Sequence, residues 1–184
     1  MNAQTIKTVL EQNYAHLFHG IYASNENPPK KTAEGVDGGI IFNTAPNTTT
    51  GEHWIAIYTN SKVVDFFCSF GSLPRMMAKN IQEYIIRQQI PSSSSRGREK
   101  KTLRYNQFCL QTPCAATCGL YTCLFIACRA EKMSFDSFLA QFSLIDTHKN
   151  DRLVMKAFRS IFRQEPYTKR DVTWLKRNYN KNCI

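Results

Sequence analysis

The sequence predicts an α+β domain, a mixed sheet packed by helices, and three observations carry that prediction. Apolar residues recur at helical spacing in separate stretches, among them Asn2 to Phe18, Leu73 to Ile90 and a segment starting at Cys118. Two short apolar runs, Trp54 to Tyr58 and Val63 to Phe67, flank the polar turn Thr59 to Lys62, which is the pattern of a hairpin. With 184 residues, 42% of them hydrophobic and 12% aromatic, the chain is one domain, or one domain with an extension, and can bury a real core.

Taken in order, Asn2 to Phe18 is the first helix, with Ile6, Val9, Leu10, Tyr14 and Leu17 on one face and Gly20 marking its end. His16 and His19 near that end have no cysteine or carboxylate set beside them, so no metal role is read from them. Asn25 to Gly39 is a loop by composition and leads into a short strand, Gly39 to Phe42. The polar stretch Asn43 to Glu52 delivers the chain to His53, at the start of the first hairpin strand. Leu73 to Ile90 is a second helix with Met76, Met77, Ile81, Tyr84 and Ile85 on its apolar side, and it stops before Pro91. Ser92 to Lys101 is a basic loop, and Leu103 to Leu110 is a strand that carries Gln111 at its end. Beyond Cys118, Ser134 caps a helix from Phe135 to Phe142, and Arg152 to Arg163 forms the last helix. The division is residues 1–150 as the main domain and 151–184 as a basic, partly helical extension packed on it.

The net charge is +10, concentrated in Arg96 to Arg104 and in the tail from Arg152 to Lys181. A surface of this kind serves either solubility or the binding of a polyanion, since neutralised phosphates release counterions. In the tail, Phe162, Tyr167, Trp174 and Tyr179 alternate with arginine and lysine, which suits DNA, although the same aromatics could pack the tail onto the domain. Seven cysteines without a secretory leader indicate a reducing compartment and no disulfide framework. The longest apolar run, Leu124 to Cys128, is too short to cross a bilayer, so a soluble intracellular monomer is expected.

The chemistry centres on Gln111 to Arg129. Leu120, Tyr121, Leu124, Phe125 and Cys128 form a helical stripe that places Cys118 at a helix start, where free amide N–H groups and the positive dipole end favour a thiolate. Taken singly, any one of Cys114, Cys118, Cys123 and Cys128 is more readily explained as a small core hydrophobe. The combination that changes this reading is Cys118-Gly119, Gln111 seven residues upstream, and the distant pair His53-Trp54, because a thiol nucleophile needs an imidazole to take its proton.

In chain order, His53-Trp54, Val63-Val64-Asp65-Phe66-Phe67 leading to Phe70-Gly71, Gln111 and Cys118-Gly119 resemble the motifs of adenain, the adenovirus maturation protease family. The seven-residue step from Gln111 to Cys118 matches that family, whereas the related SUMO-removing proteases usually have six. The resemblance spans roughly Tyr14 to Arg129, with a weaker match at Gly20-Ile21-Tyr22. It implies a papain-like arrangement in which Cys118 is the nucleophile, His53 the base and Gln111 an oxyanion donor. In the family an acidic residue stands three before the Phe-Gly glycine, where this chain has Cys68. Asp65, three residues earlier on the same strand, is therefore taken as the residue that orients His53, although a straight strand turns it to the opposite face.

The resemblance also implies substrates that are viral precursor polypeptides, cut at glycine-containing sites during virion maturation, and a location in the virion and the host nucleus or cytoplasm. It implies no metal or small-molecule cofactor, but activation by DNA or a viral peptide. The activating disulfide of the family uses a cysteine eleven residues before the glutamine, which is Lys100 here. Two alternatives remain at this point. One is a protease for ubiquitin-like modifiers, and the other is a basic nucleic-acid-binding or packaging protein on a degenerate protease fold.

Overall fold

The computed structural model describes residues 1–29, 37–49, 53–90 and 99–162. The basic loop from Ser92 to Arg98 and the tail after Phe162 lie outside them. Five strands form one mixed sheet in the order β1-β2-β3-β4-β5: Phe18–Tyr22, Gly38–Asn43, Trp54–Thr59, Val63–Cys68 and Thr102–Tyr105. The three central strands are antiparallel, and each outer strand joins its neighbour in parallel. Helices α1 (Ala3–Tyr14), α3 (Cys118–Ala130), α4 (Phe135–Leu139) and α5 (Thr147–Ile161) cover one face, while α2 (Lys79–Gln89) covers the other.

Strand parity divides the core accordingly. Ile41, Ala56, Tyr58 and Phe67 point to the α3 side, and Ile40, Phe42, Ile55, Ile57, Phe66 and Cys68 point to the α2 side. Because both faces are covered, β2 and β3 are buried along their whole length. Helix α3 is buried from Tyr121 through Arg129 rather than along a stripe, since it is enclosed by β3, α1, α4 and α5. On the α3 side Phe67 stacks on Phe125, with ring centroids 5.1 Å apart, and Phe138 meets both edge-on.

Several boundaries differ from the sequence reading, each for a local reason. The first helix ends at Tyr14, and the chain from Phe18 becomes β1, because Leu17 and Phe18 pair with Gly39 of β2. The predicted helix from Leu73 is broken: Pro74 opens a short 3₁₀ turn, Pro74–Met76, and α2 begins only after Ala78. Met76 is accordingly exposed instead of filling the core. The strand predicted to reach Leu110 stops at Tyr105, where Asn106 turns its side chain back to the backbone of Cys68. The last helix starts at Thr147, capped by the Asp146 carboxylate accepting from the Lys149 N–H at 2.8 Å, and not at Arg152. Ser134 caps α4 as expected, but that helix ends at Leu139.

Candidate active site

The first turn of α3 carries Cys118 as its first residue, half-buried. Thr117 precedes it without a side-chain cap, so the N–H groups of Cys118 and Gly119 have no partner among the described residues. Gly119 is where α3 meets β3. A methyl group there would lie 3.4 Å from Trp54 Cδ1, an ordinary contact, but 3.0 Å from Met1 Cβ and 3.2 Å from Ile6 Cδ1, so the N-terminal segment would have to give way. His53 is the residue before Trp54, and Cys118 is the residue before Gly119.

His53 is buried at the start of β3, and burial lowers its pKa to about 4. The ring lies against Phe70, with centroids 4.5 Å apart. Its Nε2 is 3.3 Å from Cys68 Sγ, whereas Nδ1 is buried with no hydrogen-bond partner among the described residues. At neutral pH the imidazole is therefore uncharged and has one nitrogen to spare as a base.

Gln111 is fully buried, and both ends of its amide are held. Ser69 donates its hydroxyl to Oε1 at 2.7 Å, and Nε2 donates to the carbonyl of Ala115. The primary amide has two N–H bonds, so one remains for a ligand. The backbone N–H of Gln111 also donates to the Ser69 carbonyl at 3.2 Å, tying the residue to the end of β4.

The loop from Gln111 to Cys118 is fixed by residues of α5 that sequence reasoning did not single out. Asp151 accepts from the Thr112 N–H at 3.1 Å, the Thr117 hydroxyl at 2.8 Å and the Tyr121 hydroxyl at 3.2 Å. Burial, followed by the Asp151 carboxylate, pushes the Tyr121 phenol pKa up. Asn150 donates to the carbonyls of Leu110 and Ser143 and accepts from the Ser143 N–H. Nothing local in sequence marks either residue, because the partners of Asp151 and the Leu110 partner of Asn150 lie 30 to 40 positions away.

Asp65 lies elsewhere. It is fully buried on the α3 side of β4, with Arg104 Nε donating to Oδ1 at 2.7 Å and Arg129 Nε 3.1 Å from Oδ2. Arg129 also stacks 4.5 Å over the Tyr58 ring and donates to the carbonyl of Met133. The carboxylate is thus engaged by two guanidinium groups, and the neighbour of His53 is Cys68, from the opposite face of the strand. Of the other cysteines, Cys123 and Cys128 are buried in the core, while Cys114 is exposed, against the reading of it as a core residue.

A cleft of about 700 Å³ opens beside Trp54, lined among others by Asn2, Tyr22, Glu26, Asn43 and Asn47. Among the described residues no group of three His, Cys, Asp or Glu side chains could hold a metal, and no helix is long and apolar enough to cross a membrane.

The adenovirus endoprotease profile matches residues 18–181. The chain belongs to the adenovirus endoprotease family. The match extends well past Arg129, where the recognisable motifs end, and takes in α4, α5 and most of the basic tail. An ASFV protease crystal structure superposes with a TM-score of 0.58 at 17% identity, covering 83% of this chain and 65% of that one, so this adenovirus endoprotease relative spans somewhat less than two thirds of that protein. That likeness is one of fold. ChlaDub1 from Chlamydia trachomatis is more distant, with a TM-score of 0.49, 13% identity, and coverage of 71% of this chain and 62% of that one. No curated protein sequence matches the chain. Membership in the adenovirus endoprotease family agrees with the mixed five-stranded sheet and with the cysteine at the start of α3.

Proposed function

We propose that the protein is a viral cysteine endopeptidase that cuts precursor polypeptides at glycine-containing sites during virion maturation. The observations that support this reading are an uncapped helix start bearing Cys118 and a buried imidazole, His53, whose Nδ1 has no hydrogen-bond partner among the described residues. In the proposed reaction His53 Nδ1 takes the Cys118 thiol proton as Sγ bonds to the scissile carbonyl carbon. The resulting oxyanion receives hydrogen bonds from the Cys118 N–H and the second N–H of the Gln111 amide. The imidazolium then protonates the departing amine, leaving a thioester. Water, deprotonated by His53, attacks the thioester, and the acid product and the thiol are released.

The cleft beside Trp54, lined by apolar residues such as Ile21 and Ala45 as well as by Asn43 and Asn47, offers a place for the acyl side of the substrate chain. A DNA cofactor is part of the proposal. It is supported by the +10 charge and by exposed Arg152, Lys156 and Arg159, which line a groove of about 540 Å³ on α5. The test is hydrolysis of a fluorogenic peptide ending in Leu-X-Gly-Gly, with and without DNA. Turnover that disappears in Cys118→Ala and His53→Ala supports the reading. A folded wild-type protein inert toward this peptide and toward amides of ubiquitin-like modifiers, yet retaining DNA, would replace it with the nucleic-acid-binding alternative.

A further inference from the structure

We propose that Cys68 takes the place of the orienting carboxylate: its sulfur receives the Nε2–H of His53 and presents Nδ1 to Cys118. This assignment rests on the reading of Cys118 and His53 as nucleophile and base. It makes Cys68 a positioning residue, acting on the substrate only through the imidazole.

The geometry around Cys68 is that of a built acceptor. Its sulfur lies 3.3 Å from His53 Nε2, and Nε2 has no other hydrogen-bond partner among the described residues. The backbone of Cys68 is clamped on both sides by one side chain, with Asn106 Oδ1 accepting from its N–H at 3.1 Å and Asn106 Nδ2 donating to its carbonyl at 2.6 Å. The same carbonyl accepts from the Gly71 N–H at 2.8 Å, closing a tight turn. Gly71 has φ of +71°, and a methyl group there would lie 2.7 Å from the Phe108 backbone, so the turn requires glycine. Within this turn the N–H groups of Phe70, Gly71 and Ser72 and the Ser72 hydroxyl bear on the sulfur and favour its charged form, although burial outweighs them and pushes the thiol pKa up.

At 3.3 Å from Nε2, the Cys68 sulfur stands at acceptor distance from the ring. The ring proton then stays on Nε2, and the lone pair lies on Nδ1, the nitrogen without a partner among the described residues. Phe70, in the same turn, fixes the ring plane. The carboxylate of β4, Asp65, is directed to the other face and held by two arginines, which leaves the task to Cys68.

A neutral thiol accepts weakly, so the imidazolium formed in the reaction is less stabilised than it would be beside a carboxylate. The titratable group against the His53 ring is Cys68 from β4, and burial accounts for the lowered pKa of His53. Cys68→Ala is expected to lower kcat about tenfold with KM little changed, the loss of one hydrogen bond in the transition state. Cys68→Asp supplies a charged acceptor to the same turn and is expected to raise kcat above that of Cys68→Ala and to move the acid limb of the kcat/KM profile upward by about one pH unit.

The experiment compares pH–rate profiles of wild type, Cys68→Ala and Cys68→Asp. The ¹⁵N resonances of His53 are recorded alongside to read its tautomer, with Cys118→Ala as the control. Wild type should hold the Nε2–H tautomer, and Cys68→Ala should lose that preference. If both Cys68 variants keep the wild-type kcat, acid limb and tautomer while Cys118→Ala is inert, the orienting role is overturned and the peptidase reading stands. If Cys118→Ala still hydrolyses the peptide, the peptidase reading itself fails.

Discussion

Replacing Asp151 by alanine tests whether α5 is part of the catalytic frame. The carboxylate accepts three hydrogen bonds, and its loss orphans two donors, the Thr112 N–H and the buried Thr117 hydroxyl, while the Tyr121 hydroxyl keeps the Leu110 carbonyl at 2.9 Å. At roughly 1.5 kcal/mol for each donor left without its charged acceptor, the variant should be destabilised by about 3 kcal/mol. Thr117→Val removes only the 2.8 Å bond and should cost about 1 kcal/mol. The two changes share that bond, so the double variant should lose less than the sum. The effect on activity follows from position: Thr112 and Thr117 bracket the loop between Gln111 and Cys118, and a shift of about an ångström there is worth about a hundredfold in kcat. Urea unfolding gives the stability, and single-turnover hydrolysis by the folded protein gives the rate. An Asp151→Ala protein within 1 kcal/mol of wild type and equally active would refute the reasoning.

Three further outcomes follow from the same geometry. Asp65→Asn leaves Arg104 and Arg129 without their buried counter-charge and should cost about 3 kcal/mol or more of stability, while the acid limb of the activity profile stays in place; a shifted limb with unchanged stability would return Asp65 to the catalytic group. His53, with its pKa lowered from the ordinary 6.5 to about 4, binds its proton more readily unfolded than folded, so stability should fall as pH drops through that window. The loss should reach about 2.5 kcal/mol by pH 4.5, and urea unfolding of His53→Gln at pH 7 and 4.5 should show a correspondingly smaller pH dependence. Gln111→Ala removes one oxyanion donor and should lower kcat by about a hundredfold with KM nearly constant, and Ser69→Ala, which frees the amide at Oε1, should reproduce part of that loss in steady-state kinetics.

What the sequence made legible was whatever its neighbours declare. His53-Trp54 and Cys118-Gly119 are readable because each pairs a reactive side chain with the adjacent residue that makes the contact, tryptophan against glycine. The buried strands from Gly38 to Cys68 are readable from their apolar runs. The short outer strand β1 is not, since Phe18–Tyr22 is only half-buried and takes its conformation from Gly39 and Ile41, some twenty residues on. Asp151, Asn150 and Asn106 were invisible for the same reason: a polar residue gains its meaning from a partner, and theirs lie on other elements. Strand parity did indicate that Asp65 and Cys68 face opposite ways, and the position that aligns with the family's acidic residue is the one found beside His53.

The central claim is that Cys118 is activated by His53, and timed alkylation of the native protein tests it most directly. Cys109 and Cys114 are exposed, whereas Cys118 is only half-buried, so exposure alone would have the first two react first. With iodoacetamide at neutral pH and peptide mass mapping, the account predicts that Cys118 is modified first and that His53→Ala abolishes its lead. Modification of Cys109 and Cys114 ahead of Cys118, or a Cys118 rate indifferent to His53, would contradict it.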